Sequence, residues 1–360
     1  MLFSWIAVML NCIEHGAPWP DGVNHARAAY LSKDDAKAGD PLQYRVLLIL
    51  PAIYRKWAVI RYRGLAEWVD DWGLDEIYAG TGMQGAEDAA YEVATNMELW
   101  TLRGIGFVGG TVDIAKCFDQ ILRPLMYRLL ALAGMPARIL DTYRKYQEAL
   151  VIHNTIAGGI GRGFSRRCGI PQGCPRSMMI MALLMRPWVV MIKGMGAIPV
   201  ILADDILVMV DGHGMLKKFG RCINATHGYL CGIGAKIAEG KSLNFASTEA
   251  ARGWLRNTCW PLAGGAILVV DHLRYLGSHI TTTPKGEHDT LKNRGIAGIA
   301  MANKVRRLPI TRRRKVELLR VKMMPSTLHG IEVADCTEQE YRSLTSAILN
   351  VLTADSTLRD

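Results

Sequence analysis

The most constraining stretch of the chain is the apolar run at residues 200–210, which only two adjacent acids interrupt, Asp204 and Asp205. Apolar, β-branched residues on both sides of a two-residue break predict a tight hairpin with the acids at its tip. A buried carboxylate is costly unless it is paired or binds a cation, so two adjacent ones point to a site. The alternative is an acidic surface turn, because Asp is a good turn residue.

Composition narrows the class of protein. Half of the 360 residues are hydrophobic, which is enough to bury a sizeable core spread over two or three subdomains. Lys and Arg exceed Asp and Glu by 43 − 33 = 10, which favours a polyanionic partner such as nucleic acid, or a membrane surface. The eight cysteines form no Cys-x-x-Cys pair and no zinc-like spacing, and we expect buried thiols in a reducing compartment.

Targeting signals are weak in this sequence. Residues 1–13 are apolar but lack a basic start and an obvious cleavage site, so we expect no secretion signal and an intracellular protein. The longest apolar stretch, 178–203, contains Arg186, Pro187 and Lys193, which argues against a membrane span and a membrane partner. Residues 1–27 offer no clear function.

Two strand-like runs, 28–33 and 44–49, flank a polar loop and present one basic residue each, Lys33 and Arg45. Such a hairpin could hold two cations toward a phosphate group, although two solvated charges would give the same pattern. Helical spacing of apolar residues then predicts helices over 52–69 and 86–102.

The stretch 107–119 predicts a strand that runs into a turn and a helix, with Asp113 at the end of the strand. Further helices are predicted over 123–132, which ends at Gly134-Met135-Pro136, and from there to about residue 149. Residues 151–156 and 163–165 resemble the arms of a hairpin.

A Gly/Pro loop at 169–177 precedes a long Met- and Leu-rich helix. It exposes backbone amides and the Gln172 side chain, which can hydrogen-bond a nucleotide or a base pair, although Gly/Pro loops also precede many helices. A helix at 215–229 and a strand at 273–280 are predicted further along the chain.

Nine basic residues lie between 304 and 322 against a single acid, Glu317. A run of charge is often only a solvated helix face. Because Val316, Leu319 and Met323 mark a packed side, a helix that lines a groove against a phosphate backbone is the second interpretation.

These acids suggest metal chemistry. Asp113 ends one strand, and the Asp204-Asp205 pair comes from another. Two divalent ions roughly 4 Å apart can activate a hydroxyl and stabilise a leaving phosphate oxygen, and Mg²⁺ prefers such hard oxygen ligands.

The chain resembles a reverse transcriptase over about residues 28–330, most closely those of non-LTR retrotransposons. The resemblance rests on five short motifs in family order: Val112-Asp113-Ile114-Ala115-Lys116-Cys117-Phe118-Asp119, Ile170-Pro171-Gln172-Gly173-Cys174-Pro175-Arg176-Ser177, Ala203-Asp204-Asp205, Gly240-Lys241-Ser242 and Tyr275-Leu276-Gly277. Each motif is weak by itself, and their order makes the resemblance specific. Pro-Gln-Gly with Ala-Asp-Asp also favours a reverse transcriptase over a viral RNA-dependent RNA polymerase.

The resemblance implies roles for individual residues. Asp113, Asp204 and Asp205 would be the catalytic carboxylates and, with the Ile114 carbonyl, would bind two Mg²⁺ ions, with Mn²⁺ as an alternative. Phe118 would be the steric gate that favours dNTPs. The other implied sites are a nucleotide-binding set (Lys33, Arg45, Gln172, Gly173 and Lys241), a primer grip (Tyr275, Leu276 and Gly277) and a basic thumb surface (Arg306, Arg307, Arg312, Arg313, Arg314 and Lys315).

The implied fold is α+β, a right-hand polymerase with an antiparallel palm sheet backed by helices. We expect an N-terminal segment at 1–27, fingers at 28–105, a palm at 106–283 with inserted fingers elements at about 140–168, and a basic helical thumb and C-terminal segment at 284–360. Two residues depart from the family pattern. Leu202 replaces an aromatic residue before Ala-Asp-Asp, and Arg176 replaces an apolar residue before Ser177.

The sequence thus predicts an RNA-directed DNA polymerase of retrotransposon origin, whose partners are an RNA template, a DNA primer and dNTPs. We expect it in the nucleus or in a ribonucleoprotein particle, with any endonuclease or ribonuclease H domain outside this chain. Two alternatives stay open: a decayed or maturase-like RNA-binding protein of the same fold, and an unrelated two-metal phosphoesterase.

Overall fold

A computed structural model describes residues 2–32, 44–82, 84–156, 158–238, 240–282, 289–334 and 337–353. The protein has mixed α+β architecture, with two larger sheets and a separate hairpin. Its strands are β1 (His25–Ser32), β2 (Tyr44–Ile49), β3 (Phe107–Val112), β4 (Val151–Ile156), β5 (Gly159–Ile160), β6 (Phe164–Ser165), β7 (Ile198–Leu202), β8 (Asp205–Asp211), β9 (Leu243–Ala246), β10 (Leu268–Val270), β11 (His272–Tyr275) and β12 (Ser278–Thr281). Its helices are α1 (Leu2–Glu14), α2 (Ala52–Arg63), α3 (Ala66–Trp72), α4 (Ala86–Leu102), α5 (Cys117–Gln120), α6 (Arg123–Leu132), α7 (Ala137–Ala149), α8 (Ser177–Gly194), α9 (Met215–Gly232), α10 (Glu249–Arg256), α11 (Asp289–Arg307), α12 (Arg312–Leu318), α13 (Met324–Leu328) and α14 (Glu338–Thr353).

The central sheet has the strand order β10–β9–β3–β8–β7, and β3 pairs antiparallel with both β8 and β9. Successive side chains of a strand point to opposite faces. In β8, Val208 and Val210 enter one hydrophobic core while Leu207 and Met209 enter another. Helices α8 and α9 cover the first face, and α4 covers the second, so both faces of the sheet are buried.

Two glycines in β3 let the central sheet pack closely. A Cβ atom on Gly109 would lie 2.4 Å from the Phe245 ring, and one on Gly110 would lie 2.4 Å from Asn244 Oδ1 and 3.0 Å from the Phe219 ring. Because real Cβ atoms do not approach other atoms so closely, these positions exclude any side chain.

A second sheet has the order β2–β1–β4–β5, with β6 also paired to β4. Strand β1 is antiparallel to β2 and parallel to β4. Beside this sheet, the buried Glu14 carboxylate of α1 accepts hydrogen bonds from Trp57 Nε1 (2.7 Å) and Arg61 Nη2 (2.8 Å) and lies 3.2 Å from Arg138 Nε. Burial alone would raise the pKa of Glu14, but these donors and cations lower it overall.

The C-terminal helices α11 to α14 form a third core around Ala302, Leu319, Met323 and Val351. Residues 312–328 are continuous helix with a π-helical turn, Leu319–Met323, in the middle. Pro325 follows this turn and has no N–H to donate to a carbonyl of the preceding turn, which accounts for the local change in hydrogen bonding.

Helix α8 is long and apolar enough to cross a membrane, but 61% of its residues are buried within the protein. Its polar residues also have protein partners: Arg186 Nε donates to the Trp72 carbonyl (2.8 Å), and Lys193 Nζ lies 2.5 Å from Glu76 Oε1. These contacts are typical of a core helix.

Four predicted elements differ from the structure. The helix predicted over 52–69 is divided between α2 and α3, because Gly64 ends α2. The strand predicted over 273–280 is the hairpin β11–β12, because Leu276 and Gly277 have positive φ values of 48° and 88° and form a two-residue turn. The predicted hairpin of 151–156 and 163–165 contains an extra strand, β5, between its arms.

The basic helix predicted over 304–322 is interrupted between α11 and α12, where Pro309 lies. Its predicted packed side is only partly correct, since Leu319 and Met323 are buried but Val316 is 42% exposed.

Candidate active site

The two strands at the centre of the sheet bring three acids to the same edge. Val112, the last residue of β3, pairs with Ile206 of β8, so Asp113 emerges beside Asp205. Asp205 is the first residue of β8 and pairs with Leu202, which leaves Ala203 and Asp204 as the two-residue loop. The turn predicted at Asp204-Asp205 is therefore shifted by one residue, because Ala203 adopts the positive φ (59°) that such a turn needs.

These carboxylates destabilise each other as anions. Burial raises the pKa of Asp204, and the charge of Asp113 adds to this, while a backbone hydrogen bond and Arg45 act in the opposite direction. Burial and the charges of Asp204 and Asp113 raise the pKa of Asp205 to about 6. A bound cation would relieve this repulsion.

A segment that follows α9 lies against Asp113. The Ala238 amide donates to the Asp113 carbonyl (2.9 Å), and the Asp113 amide donates to Ser242 Oγ (3.4 Å). Ile114 forms an isolated antiparallel bridge with Ile237. The exposed Lys241 Nζ lies 3.6 Å from Asp113 Oδ2, so the predicted lysine reaches the predicted carboxylate.

Phe118 lies next to the Gly/Pro loop. The Ile170 amide donates to the Phe118 carbonyl (2.7 Å), and the Leu48 amide of β2 donates to the Gln172 carbonyl (2.7 Å). Gly173 has φ 115°, and a Cβ atom there would lie 2.5 Å from the Leu48 carbonyl oxygen, so this contact requires glycine. Main-chain bonds thus connect β2, the loop and Phe118.

Of the two other cations predicted to bind the nucleotide, Arg45 and Lys33, the structure describes only Arg45. Arg45 of β2 is exposed, and its charge lowers the pKa of Asp204, which places it on the carboxylate side of β2. Lys33 lies outside the described residues.

The hairpin β11–β12 carries Tyr275, Leu276 and Gly277. Tyr275 is 4% exposed, and its pKa is raised by burial and by the charge of Asp205. The hairpin therefore lies near the carboxylates, and its role as a primer grip stays a prediction.

The predicted basic surface lies on α11 and α12. Arg306, Arg307, Arg312, Arg313 and Arg314 are exposed. Lys315 is an exception, because it is 6% exposed and its Nζ donates to the Arg306 carbonyl (3.1 Å) at the C-terminal end of α11. The prediction that Lys315 contacts nucleic acid is therefore wrong: its charge is buried at a helix end, where the dipole favours a cation.

The donor set can be compared with what Mg²⁺ requires. Carboxylate and carbonyl oxygens are the ligands that Mg²⁺ prefers, and Asp113, Asp204, Asp205 and Ile114 supply them in a region where negative charge is already crowded. Within the described ranges, no three His, Cys, Asp or Glu side chains converge closely enough to hold a metal ion. The chemistry of these residues fits a divalent cation, and their role as its ligands stays a prediction.

Several supporting residues were not found from the sequence. The buried Arg123 donates to three carbonyls, those of Gln147, Arg166 and Gly169 (2.9–3.1 Å), and so holds the segment before the Gly/Pro loop. Arg166 pairs with Asp119 (2.8 Å). Their partners are 24 to 47 residues away in the chain, so no local signal reveals them.

Residues 107–280, from β3 to β12, match the family model for "Reverse transcriptase (RNA-dependent DNA polymerase)". Residues 107–280 are a reverse transcriptase domain. The domain holds the three carboxylates, the Gly/Pro loop, Lys241 and the turn of the hairpin β11–β12, whereas Arg45 and the exposed arginines of α11 and α12 lie outside it.

Solved telomerase structures resemble this chain in fold. Apo telomerase from Candida tropicalis, truncated from its C-terminal domain, has a TM-score of 0.53 and 12% identity, and the match covers 74% of this chain and 54% of that one. Apo telomerase from the same organism has a TM-score of 0.51 and 12% identity, and the match covers 95% of this chain and 68% of that one. Telomerase from Candida albicans, in complex with the TWJ fragment of telomeric RNA, has a TM-score of 0.51 and 11% identity. This match covers 96% of this chain and 58% of that one.

The chain spans about half the length of the first of these telomerases. At such low identity, the likeness concerns the fold, which is that of a right-hand polymerase, as predicted. The predicted boundaries of fingers, palm and thumb stay predictions.

Proposed function

We propose that the reverse transcriptase domain is an active RNA-directed DNA polymerase that extends a primer with dNTPs. The observation that carries the proposal is the pairing of β3 with β8, which brings Asp113 beside Asp204 and Asp205 at one edge of the sheet. Burial and, after it, the charges of Asp204 and Asp113 raise the pKa of Asp205 to about 6, as expected of carboxylates gathered at one partly buried site.

Asp113, Asp204, Asp205 and the Ile114 carbonyl would hold two divalent ions, Mg²⁺ or Mn²⁺. When bound, such ions lower the cost of a primer 3′-hydroxyl attacking phosphorus and stabilise the leaving oxygen.

The other residues of the site would bind and orient the substrates. Lys241, already 3.6 Å from Asp113, would move its cation toward the triphosphate once that carboxylate is neutralised, and Arg45 would contact the same phosphates. Phe118 would exclude the ribose 2′-hydroxyl. Gln172 and Gly173 would line the nucleotide pocket, since main-chain hydrogen bonds hold their loop against β2 and Phe118.

The predicted partners are an RNA template and a DNA primer, bound along the hairpin β11–β12 and the exposed arginines of α11 and α12. The motif order supports an origin in a non-LTR retrotransposon, and the protein of such an element would act in the nucleus or in a ribonucleoprotein particle. A separate endonuclease or ribonuclease H domain would complete such an element.

The test is primer extension on an RNA template with Mg²⁺, with dNTPs and rNTPs compared in parallel. Asp204→Asn keeps the side-chain shape and should lower the rate at least about a hundredfold. Asp211→Asn, at the far end of the same strand, is the matched control and should leave the rate within twofold. Phe118→Ala should admit rNTPs.

Failure of the wild-type protein to extend primers, while it is folded and binds RNA, would favour the decayed or maturase-like alternative. Hydrolysis of phosphoesters without a primer, lost in Asp204→Asn, would favour the phosphoesterase.

A further inference from the structure

A histidine outside the reverse transcriptase domain contacts the turn between β11 and β12. Both turn residues, Leu276 and Gly277, have positive φ values (48° and 88°), which is unfavourable for a leucine. The Leu276 carbonyl lies 2.8 Å from His329 Nε2, at the end of α13, so the ring nitrogen can donate to it. The strained turn is thus held by a hydrogen bond from the thumb.

The other side of the imidazole contacts a different element. His329 Nδ1 lies 3.1 Å from Glu87 Oε1 in the first turn of α4. The main chain is held as well, because Arg294 Nη1 of α11 donates to the His329 carbonyl (2.6 Å). One residue therefore connects α4, the β11–β12 turn and two thumb helices.

The fit between these elements depends on two glycines. A Cβ atom on Gly277 would lie 2.9 Å from His329 Nε2 and 3.2 Å from Arg294 Nη2. A Cβ atom on Gly330, which has φ 84°, would lie 2.8 Å from Ser278 Oγ. The segment 329–330 is therefore packed directly on the turn.

Both ring nitrogens of His329 are therefore engaged, Nε2 with the Leu276 carbonyl and Nδ1 with the Glu87 carboxylate. A side chain with a single polar nitrogen cannot replace both contacts.

We propose that His329 is a positioning residue that fixes the β11–β12 turn against α4 and the thumb. The inference rests on the proposed function, because it matters for catalysis only if this hairpin holds the primer end. Through His329, the thumb and α4 would set where the turn places the primer terminus.

The first test is steady-state primer extension. His329→Gln should raise the KM for primer–template about tenfold, because a single amide nitrogen cannot replace both ring nitrogens, and should leave the KM for dNTP within twofold. His329→Arg, which keeps two donors, should restore at least half of the lost affinity.

His213→Gln is the matched control, because His213 is exposed in the loop before α9, and it should change neither KM. A KM for primer–template that His329→Gln leaves unchanged overturns the positioning role.

The second test does not depend on polymerisation. Amide hydrogen exchange of residues 272–281 should accelerate in His329→Gln and in Glu87→Gln, while that of β3 and β8 stays the same. Unchanged exchange overturns the inference whether or not the enzyme is active. Faster exchange in a protein that never extends primers would support the contact at His329 and reject the proposed function instead.

Discussion

At the scale of single residues, two arginines near Trp57, the half-buried Arg61 and the buried Arg176, differ in whether their charge has a partner. Arg61 donates two hydrogen bonds to the buried Glu14 carboxylate. Arg176 is fully buried, and within the described part of the chain none of its three guanidinium nitrogens has a hydrogen-bond partner. Its guanidinium lies 4.1 Å from the centre of the Trp57 ring, and burial lowers its pKa. The cation–π contact offsets only part of the desolvation cost.

We therefore expect Arg176→Met to stabilise the protein by about 1 to 3 kcal/mol, because an uncompensated buried charge is replaced by an apolar side chain of similar length. Arg61→Met is the matched control and should destabilise it by about 2 kcal/mol or more, since Glu14 loses a charged partner. Urea unfolding of both variants measures these changes in the free energy of unfolding. A destabilised Arg176→Met would mean that the contact with Trp57 outweighs desolvation.

His227 in α9 predicts a pH dependence of stability. It is fully buried, neither ring nitrogen has a hydrogen-bond partner among the described residues, and burial lowers its pKa to about 4. The unfolded chain, with a pKa of about 6.5, binds the proton more tightly, so stability is complete above pH 6.5 and falls as the pH drops toward 4.

The expected loss from this residue is about 2 kcal/mol between pH 7 and pH 5. His227→Leu should remove that part of the slope, and His213→Gln should retain it, when urea unfolding is compared at the two pH values. Parallel slopes for wild type and His227→Leu would contradict the assignment.

At the scale of helices and strands, local signals were sufficient where an element carries its own ends. Helix α4 is predicted at its observed bounds, 86–102, where an acidic first turn begins the helix. Helix α6 is predicted at its observed bounds, 123–132, because a Gly and a Pro follow its apolar pattern. The three acids could also be placed, since each one interrupts or ends an apolar strand. The one-residue shift of the turn to Ala203 and Asp204 could not be predicted, because the register of β7 and β8 imposes the positive φ of Ala203.

Long-range contacts explain the other differences. Lys315 looked like part of a solvated basic run, yet the packing of α12 against the end of α11 buries it. Glu14, Trp57 and Arg138 lie in three different helices, and His329 contacts Glu87 across 242 residues. A sequence shows the residues of such clusters but not that they meet.

Strand β3 provides a prediction at this scale. Gly109→Ala should destabilise the protein by more than about 2 kcal/mol, because its Cβ would overlap the Phe245 ring and push apart the strands that carry the acids. Gly253→Ala in α10 is the matched control, since no atom lies within 4 Å of its Cβ position, and it should stabilise by about 0.5 to 1 kcal/mol. Thermal unfolding compares the stability of the two variants. Equal changes in stability would contradict the close packing of Gly109 against Phe245.

At the scale of the whole molecule, the net charge of +10 and the exposed arginines of α11 and α12 should govern nucleic-acid affinity. Replacing Arg312, Arg313 and Arg314 by Gln should reduce the slope of log affinity against log salt by about 2 to 3 for a duplex.

The matched control replaces Lys217, Lys218 and Arg221 of α9 by Gln, which removes the same charge from the face of the central sheet opposite the hairpin β11–β12. Its salt slope should stay near that of the wild type. Fluorescence anisotropy with an RNA–DNA duplex at several salt concentrations measures both slopes, and equal reductions would show that only net charge matters.

The parallel pairing of β1 with β4 has a consequence for how the protein is made. His25 pairs with Val151, and the six helices α2 to α7, together with β2 and β3, separate these strands in the chain. During synthesis at about 5 to 20 residues per second, β1 waits on the order of ten seconds for its partner. Until then, the β1–β2 hairpin has an unpaired edge, which makes it a site where a nascent chain could associate with another. Expression at lower temperature or with a chaperone should therefore improve the yield of soluble protein more than any change within the active site.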